Sequence, residues 1–378
     1  MTPKKQKPEW APVNPDESFA SNVVGGVEGG HDGMSGNSDK RSENAVHARK
    51  SLNTEDYVKG VLNGDRTVLG RAITLVESNA QTHKEQAREV LKQLLPHTGK
   101  SIRIGISGVP GSGKSTFIES LGIYLIEQGF RVAVLAIDPS SSIKKGSILG
   151  DKTRMEKLSR NPGSFIRPSP SGGTLGGVAG KTRETMLVCE AAGYDVLLIE
   201  TVGVGQSEIT VRSMVDFFLL LQIAGAGDEL QGIKKGVMEI ADAVLINKAD
   251  GDNKSRAEAA KQDFAMALHY QEPATEGWEA RVHTCSAITG QGISEIWNMI
   301  EEFREVTNAS GVFERRRRLQ ARDWMNSLVQ EQLKHLFLHH PEVEKVMKKM
   351  EDDVMAGNIP PAAAADYLLK LFENSLKR

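Results

Sequence analysis

The chain has 378 residues, of which 39% are hydrophobic, enough for one α/β domain with helical additions or for two modest domains. Its 47 basic and 49 acidic side chains nearly cancel, so its charge gives no support for binding to nucleic acid or to a membrane surface. The two cysteines, Cys189 and Cys285, are far apart and outside any CxxC pattern. This excludes a disulfide framework and indicates a reducing compartment, for which the cytoplasm is the natural choice.

Residues 1–50 are predicted to form a disordered tail. They show little apolar periodicity, and 21–40 is dominated by Gly, Ser, Asn and Asp, which bury too little surface to offset the entropy of ordering. The tail lacks the apolar core of a signal peptide, and no run of about 18 apolar residues follows it. Because the tail mixes acids with bases, whereas mitochondrial targeting peptides avoid acids, the cytoplasm is favoured over the matrix.

Apolar residues at helical spacing predict an N-terminal helical segment over residues 51–98. Residues 99–312 then alternate short β-rich runs with helical patterns, which predicts an α/β fold with a mostly parallel central sheet flanked by helices. The strands are expected at 102–107, 132–137, 196–200, 217–223, 243–247 and 282–285.

Residues 313–378 are predicted to be helical again. An apolar stripe runs along the first of these helices at Met325, Leu328, Val329, Leu333 and Leu336. Such a stripe needs a partner surface, so this region is expected either to dimerise the chain or to pack back onto it.

A glycine-rich motif follows the first predicted strand and opens a helix. Its backbone N–H groups can point at phosphate oxygens at a helix N-terminus, where the helix dipole favours an anion. Lys114 is expected to reach the β- and γ-phosphates, and the Ser115 hydroxyl to bind magnesium. The motif fits GxxxxGK[ST] and, with the residue after it, comprises Gly108, Val109, Pro110, Gly111, Ser112, Gly113, Lys114, Ser115 and Thr116.

A second motif, Asn247-Lys248-Ala249-Asp250, ends a later strand and has the NKxD form known from GTPases. The Asp250 carboxylate can accept hydrogen bonds from the guanine N1–H and exocyclic amine, donors that adenine lacks there. Lys248 is expected to lie across the base, and Ser286 and Ala287 after the next strand resemble a guanine loop. The sequence therefore predicts that GTP and GDP are bound.

Magnesium requires oxygen ligands besides Ser115 and the phosphates. Glu200 is the best placed, because it ends an apolar strand, and Gly203 of the same ExxG motif can offer its N–H to the γ-phosphate. Asp138 and Asp151 are further candidates, although spacing alone equally allows either to be a helix cap.

Neither the histidine pair in the C-terminal region nor the basic run before it indicates an activity. His335 and His339 are four residues apart on a predicted helix, where an exposed face is a better explanation than a metal pair without a third ligand. The basic run 315–318 is expected to be a solvated or partner-facing helix start rather than a nucleic-acid site.

Six motifs together resemble one GTPase family. They are GVPGSGKST, AIDPSS, ILGDKTRM, ETVGVGQSE, AGDELQGIKKG and NKAD, and they are similar to the MeaB, ArgK and methylmalonic aciduria type A group of methylmalonyl-CoA mutase-associated GTPases. The similarity runs from about Asn53 to the C-terminus. It implies a P-loop GTPase domain, a homodimer held by C-terminal helices, and a chaperone role for adenosylcobalamin-dependent mutases.

The resemblance also implies roles for particular residues. The carboxylates that match Asp138, Asp151 and Glu200 serve the family's magnesium site. Residues 225–235 look like an additional switch, in which Lys234 matches a lysine that couples partner binding to hydrolysis. Because no glutamine directly follows Gly203, slow basal hydrolysis is expected, faster when a partner mutase orders the switch segments.

Three other functions are compatible with a P-loop and differ in what else they require. The group has carried the name of a lysine, arginine and ornithine transport kinase, but no HRD-type catalytic loop is present. A nickel-delivery GTPase of the same broad class is disfavoured by isolated cysteines and by the lack of a His-rich tail. A non-catalytic scaffold would show partner binding that follows nucleotide state without turnover.

Overall fold

The structure is a computed structural model that describes residues 52–137, 155–168, 175–201, 206–225 and 235–376. Leu52–Arg378 forms one compact unit. The predicted tail lies outside the described residues, and the division of the rest at residues 98 and 312 stays a prediction.

Seven strands form one sheet in the order β3-β2-β4-β1-β5-β6-β7, and every described pair of neighbours is parallel. The strands are β1 (Ile102–Gly108), β2 (Val132–Ile137), β3 (Ser164–Arg167), β4 (Val196–Thr201), β5 (Phe217–Ile223), β6 (Ala243–Asn247) and β7 (Arg281–Thr284). The expected parallel sheet is confirmed, and β3 is a short edge strand that the sequence pattern did not indicate.

Helices surround the sheet and extend beyond it at both ends of the described chain. They are α1 (Thr54–Leu62), α2 (Arg66–Glu77), α3 (Gln81–Leu94), α4 (Lys114–Glu127), α5 (Glu156–Arg160), α6 (Leu175–Ala191), α7 (Gln206–Arg212), α8 (Lys235–Met238), α9 (Lys254–His269), α10 (Ile293–Ala309), α11 (Val312–Leu338), α12 (Pro341–Met355) and α13 (Pro361–Leu376). None of the described helices combines the length and apolarity that crossing a lipid bilayer requires.

Both faces of the sheet are covered, as its nearly uninterrupted apolar strands require. Residues of α1, α2, α3, α6 and α9 form one core cluster with one face, and residues of α4, α5 and α10 form a second with the other. Asn53 starts α1 with a capping box to Asp56, and Asp65 caps α2, so the N-terminal helices begin where side-chain oxygens satisfy free backbone N–H groups. Because all strands are parallel, their carboxyl ends meet at one edge of the sheet.

The helix α11 begins with the basic run, and the expectation that this run is solvated or partner-facing is wrong for two of its arginines. Arg317 binds the buried Asp216 carboxylate through Nε and Nη2 at 2.7 and 2.6 Å. The neighbouring Arg316 donates to the Asp216 carbonyl and lies 4.0 Å from the buried carboxylate of Asp242. Buried carboxylates need such partners because an unpaired charge away from water is costly.

The second half of α11 contrasts with the first. Met325, Val329, Leu333 and Leu336 are each at least half exposed, whereas Leu328, the fifth residue of the predicted stripe, is partly buried. The stripe is therefore open at four of its five residues. The same helix therefore packs back onto the α/β domain at its start and presents an apolar face further on.

Candidate active site

The glycine-rich loop connects β1 to the N-terminus of α4 at the carboxyl edge of the sheet. A Cβ atom on Gly108 would lie 2.2 Å from the Leu221 carbonyl oxygen on β5, so no larger residue fits there. Gly111 and Gly113 have φ angles of 82° and 85°, the left-handed region that favours glycine. The loop thus wraps around the start of a helix of 14 residues, where an anion is stabilised.

Two side chains at the start of α4 face this loop and the end of β4. The Lys114 ammonium donates to the carbonyls of Gly108 and Val109 at 2.9 and 3.3 Å, which holds the charge over the loop. The Ser115 hydroxyl donates to Glu200 Oε1 at 2.9 Å. A hydroxyl and a carboxylate oxygen side by side fit magnesium, which takes few protein oxygens and completes its shell with phosphate and water. When bound, the ion would neutralise charge developing on the phosphates.

The Asn247 side chain joins three loops of the site. Its Nδ2 donates to the Ser112 carbonyl at 2.8 Å, and its Oδ1 accepts from the Ala287 N–H at 3.1 Å. Cys285 also donates to the same oxygen through Sγ at 3.3 Å. The phosphate loop, the end of β6 and the loop after β7 are therefore cross-linked through one buried amide.

The residues that are predicted to read guanine lie beside this cross-link. Asp250 Oδ2 accepts from the Ser286 hydroxyl at 3.1 Å, and the Ser286 oxygen also accepts from the Thr289 N–H. Lys248 has a left-handed φ of 61° and an exposed side chain, which leaves its stem available to cover a base. Burial raises the pKa of the neighbouring Cys285 thiol to about 12, so this cysteine is a packing group and not a nucleophile.

Two contacts at the site were not anticipated from the sequence. The Ser120 hydroxyl on α4 donates to the Ala287 carbonyl, which fastens the guanine loop to the helix of the phosphate loop. Glu119 Oε1 accepts from the Lys157 N–H at 2.7 Å and so caps α5. Glu119 follows Ser115 by four residues on α4, and this spacing indicates in the sequence that the two side chains lie on the same face of the helix.

Four predicted site residues, Asp138, Asp151, Gly203 and Lys234, lie outside the described residues. Their assigned roles therefore stay predictions, as do the roles assigned to the described site residues. Among the residues that the structure does describe, no group of three or more His, Cys, Asp or Glu side chains could hold a metal ion. The stacked rings of His335 and His339 thus lack a third ligand within those residues.

A glycine-rich loop at a helix N-terminus and the carboxylate predicted to select guanine lie at one edge of a parallel sheet, which is the arrangement of a P-loop GTPase. The model of the family described as methylmalonyl Co-A mutase-associated GTPase MeaB matches residues 69–342. The chain belongs to this family, and its members among the relatives include proteins named as GTPases.

Three relatives illustrate the similarity. A putative GTPase of Caulobacter vibrioides is 53% identical and covers 85% of this chain and 98% of its own length. GTPase ArgK of Escherichia coli is 49% identical over 75% of this chain and 86% of its own. The mouse methylmalonic aciduria type A homolog, a mitochondrial protein, is 46% identical over 83% of this chain and 78% of its own.

A solved structure has the same fold. The crystal structure of a LAO/AO transport system kinase superposes with a TM-score of 0.69 at 37% identity, covering 85% of this chain and 97% of that one.

The geometry predicts a change of base specificity in Asp250→Asn. Losing the carboxylate removes two charge-assisted acceptors, each worth about 1.5–3 kcal/mol, so GDP should bind at least about 100-fold more weakly. The new amide can donate to the 2-oxo group of xanthine, so xanthosine diphosphate should bind better than to the wild type. Titration calorimetry with both nucleotides measures this.

Asp252→Asn is the matched control, because Asp252 is an exposed acid two residues further along the same loop. It should leave GDP affinity within about twofold of wild type. Equal GDP binding by wild type and Asp250→Asn would contradict the assignment of Asp250 as the guanine-selecting group.

Proposed function

We propose that this GTPase is a chaperone for an adenosylcobalamin-dependent mutase. Its GTP and GDP states would gate the delivery of adenosylcobalamin to methylmalonyl-CoA mutase or a related enzyme, and would protect or reactivate that enzyme. The observation that carries the proposal is the match to the mutase-associated GTPase family over residues 69–342, a range that contains every residue assigned to the site. We place this activity in the cytoplasm, in line with the two reduced, buried cysteines.

The proposed hydrolysis assigns one task to each group. Lys114 and the loop N–H groups hold the phosphates, and Ser115 and Glu200, with Asp138 and Asp151, hold Mg²⁺. Gly203 donates its N–H to the γ-phosphate. Basal turnover is expected to be slow because no glutamine directly follows Gly203 to orient water. A slow GTPase of this kind would act as a timer that its client mutase accelerates.

Two alternatives make different predictions in the same assay. A nickel-delivery GTPase would bind nickel without a mutase, and the described residues contain no cluster of ligands for it. A kinase would transfer phosphate to a protein acceptor, as the name of the LAO/AO transport system kinase suggests for that protein. Neither alternative predicts that a mutase accelerates GTP hydrolysis.

The proposal predicts that GTP hydrolysis is slow, selective over ATP, and several-fold faster with an adenosylcobalamin-dependent methylmalonyl-CoA mutase. Lys234→Ala should lose this acceleration and keep the basal rate, because Lys234 is assigned to coupling. Lys235→Ala is the matched control, since it removes the same charge from the adjacent position. Phosphate release under steady-state conditions measures all three proteins.

Hydrolysis of GTP that no mutase changes would contradict the chaperone role and leave the GTPase intact. Equal acceleration of wild type and Lys234→Ala would contradict the coupling role of Lys234 alone.

We also propose that the chain is a homodimer and that the exposed stripe of α11 is covered by a second copy. The stripe supports this because four large apolar side chains at helical spacing, Met325, Val329, Leu333 and Leu336, are open to solvent. The start of the same helix is held by Arg317 and Asp216, so the stripe has a rigid base.

Leu333→Glu should therefore shift the chain towards a monomer, because a charge in an apolar interface loses its hydration. Gln330→Glu adds the same charge to the same helix away from the stripe and should keep the dimer. Light scattering after gel filtration gives the masses. A wild-type chain that runs as a monomer with and without nucleotide would contradict the dimer.

A further inference from the structure

A chain of three buried polar side chains lies next to the phosphate loop and contains a carboxylate that no role above uses. Thr201 Oγ1 donates to Ser107 Oγ at 2.9 Å, and Ser107 Oγ donates to Glu208 Oε1 at 3.5 Å. Thr201 and Ser107 are fully buried, and Glu208 is 4% exposed. Ser107 directly precedes Gly108 of the phosphate loop, and Thr201 directly follows Glu200.

Burying the Glu208 carboxylate costs more free energy than filling the same space with an apolar side chain. A carboxylate taken out of water loses its hydration, and an apolar residue of the same size would fill the space between α7 and the sheet more cheaply. Such a group specifies position, because it is stable only when its hydrogen-bond donors are correctly placed. Glu208 therefore fixes where the N-terminal part of α7 lies relative to the ends of β1 and β4.

The other end of α7 is held separately. Arg212 Nη2 donates to the buried Asp242 carboxylate at 3.1 Å. Val211 packs so closely on β1 that a Cβ atom on Gly105 would lie 2.8 Å from Val211 Cγ1. At the end of α7 nearer the phosphate loop, the Glu208 carboxylate contacts Ser107 of β1.

We propose that Glu208 is a positioning residue for GTP hydrolysis. It acts through Ser107 and Thr201, and it holds α7 in register with the two strands that carry Gly108 and Glu200. The connection 202–205, which includes Gly203, joins Thr201 to the first residue of α7, and the chain of hydrogen bonds therefore links the strand before this connection to the helix after it. The inference rests on the GTPase activity and is independent of any client mutase.

The test measures the single-turnover rate of GTP hydrolysis and the GDP dissociation constant of Glu208→Gln and Thr201→Val. Both variants keep the size of the side chain. Thr201→Val removes the hydroxyl that donates to Ser107, and Glu208→Gln replaces the charged acceptor of the Ser107 hydroxyl by a neutral amide, which accepts more weakly. We expect Glu208→Gln to hydrolyse GTP at least tenfold more slowly and Thr201→Val to show a smaller loss. GDP affinity should stay within about threefold, because GDP lacks the γ-phosphate that the ExxG motif would contact.

Glu190→Gln is the matched control. Glu190 is also 4% exposed, and it accepts from the Gly99 N–H and from Arg103 Nε at 2.8 and 2.7 Å at the opposite edge of the sheet. It should lower Tm as Glu208→Gln does and leave the hydrolysis rate within twofold of wild type. All rates are measured well below the lowest Tm of the set.

Two results would overturn the inference. Wild-type hydrolysis by Glu208→Gln together with a lowered Tm would make Glu208 purely structural. A GDP affinity that falls in parallel with the rate would mean that the carboxylate shapes the phosphate loop and not α7. Should Glu208→Gln fail to fold, Thr201→Val decides, since wild-type hydrolysis by that variant would equally overturn the proposal.

Discussion

The side-chain amide of Asn247 is the contact on which the nucleotide site depends. It joins the phosphate loop, the end of β6 and the guanine loop through hydrogen bonds to Ser112 and Ala287, and it is buried. Gly113 must lack a Cβ for this contact, because a Cβ there would lie 2.7 Å from Asn247 Nδ2. The loop predicted to bind the phosphates and the loop predicted to bind the base are therefore joined through one side chain and are not independent.

Buried ion pairs at the amino-terminal edge of the sheet join two helices to the starts of two strands. Asp216 and Asp242 precede β5 and β6, and they bind arginines from α7 and from the start of α11. Removing one partner of such a pair leaves an uncompensated charge, at a cost of about 3–5 kcal/mol. The helix that follows the ExxG motif and the helix that carries the apolar stripe thus bind the same cluster of buried carboxylates.

Features that depend on short stretches of sequence could be predicted. Six of the seven strands and the parallel sheet follow from apolar runs and from their alternation with helical patterns. The edge strand β3 was missed because four residues with a partly exposed pattern carry no periodic signal.

Features that depend on which surfaces meet could not be predicted. In the sequence, 315–318 is a uniform basic run, and only the packing of α11 shows that Arg316 and Arg317 are partly buried while Arg315 and Arg318 are exposed. In the sequence, Glu208 is one acid in a polar stretch, and only the packing of α7 against β1 shows that it is buried beside Ser107. For the same reason the motifs identified the candidate site residues, but not the cross-link that Asn247 makes between loops about 135 and 40 residues away in sequence.

The most direct measurement is titration calorimetry of GDP and of ADP against the full chain with Mg²⁺. Both nucleotides offer the same phosphates to the loop, so only the base distinguishes them. The cross-linked site predicts that GDP binds at least about 100-fold more tightly than ADP, because adenine leaves the Asp250 carboxylate without its donors. Similar affinities for the two nucleotides would contradict the account.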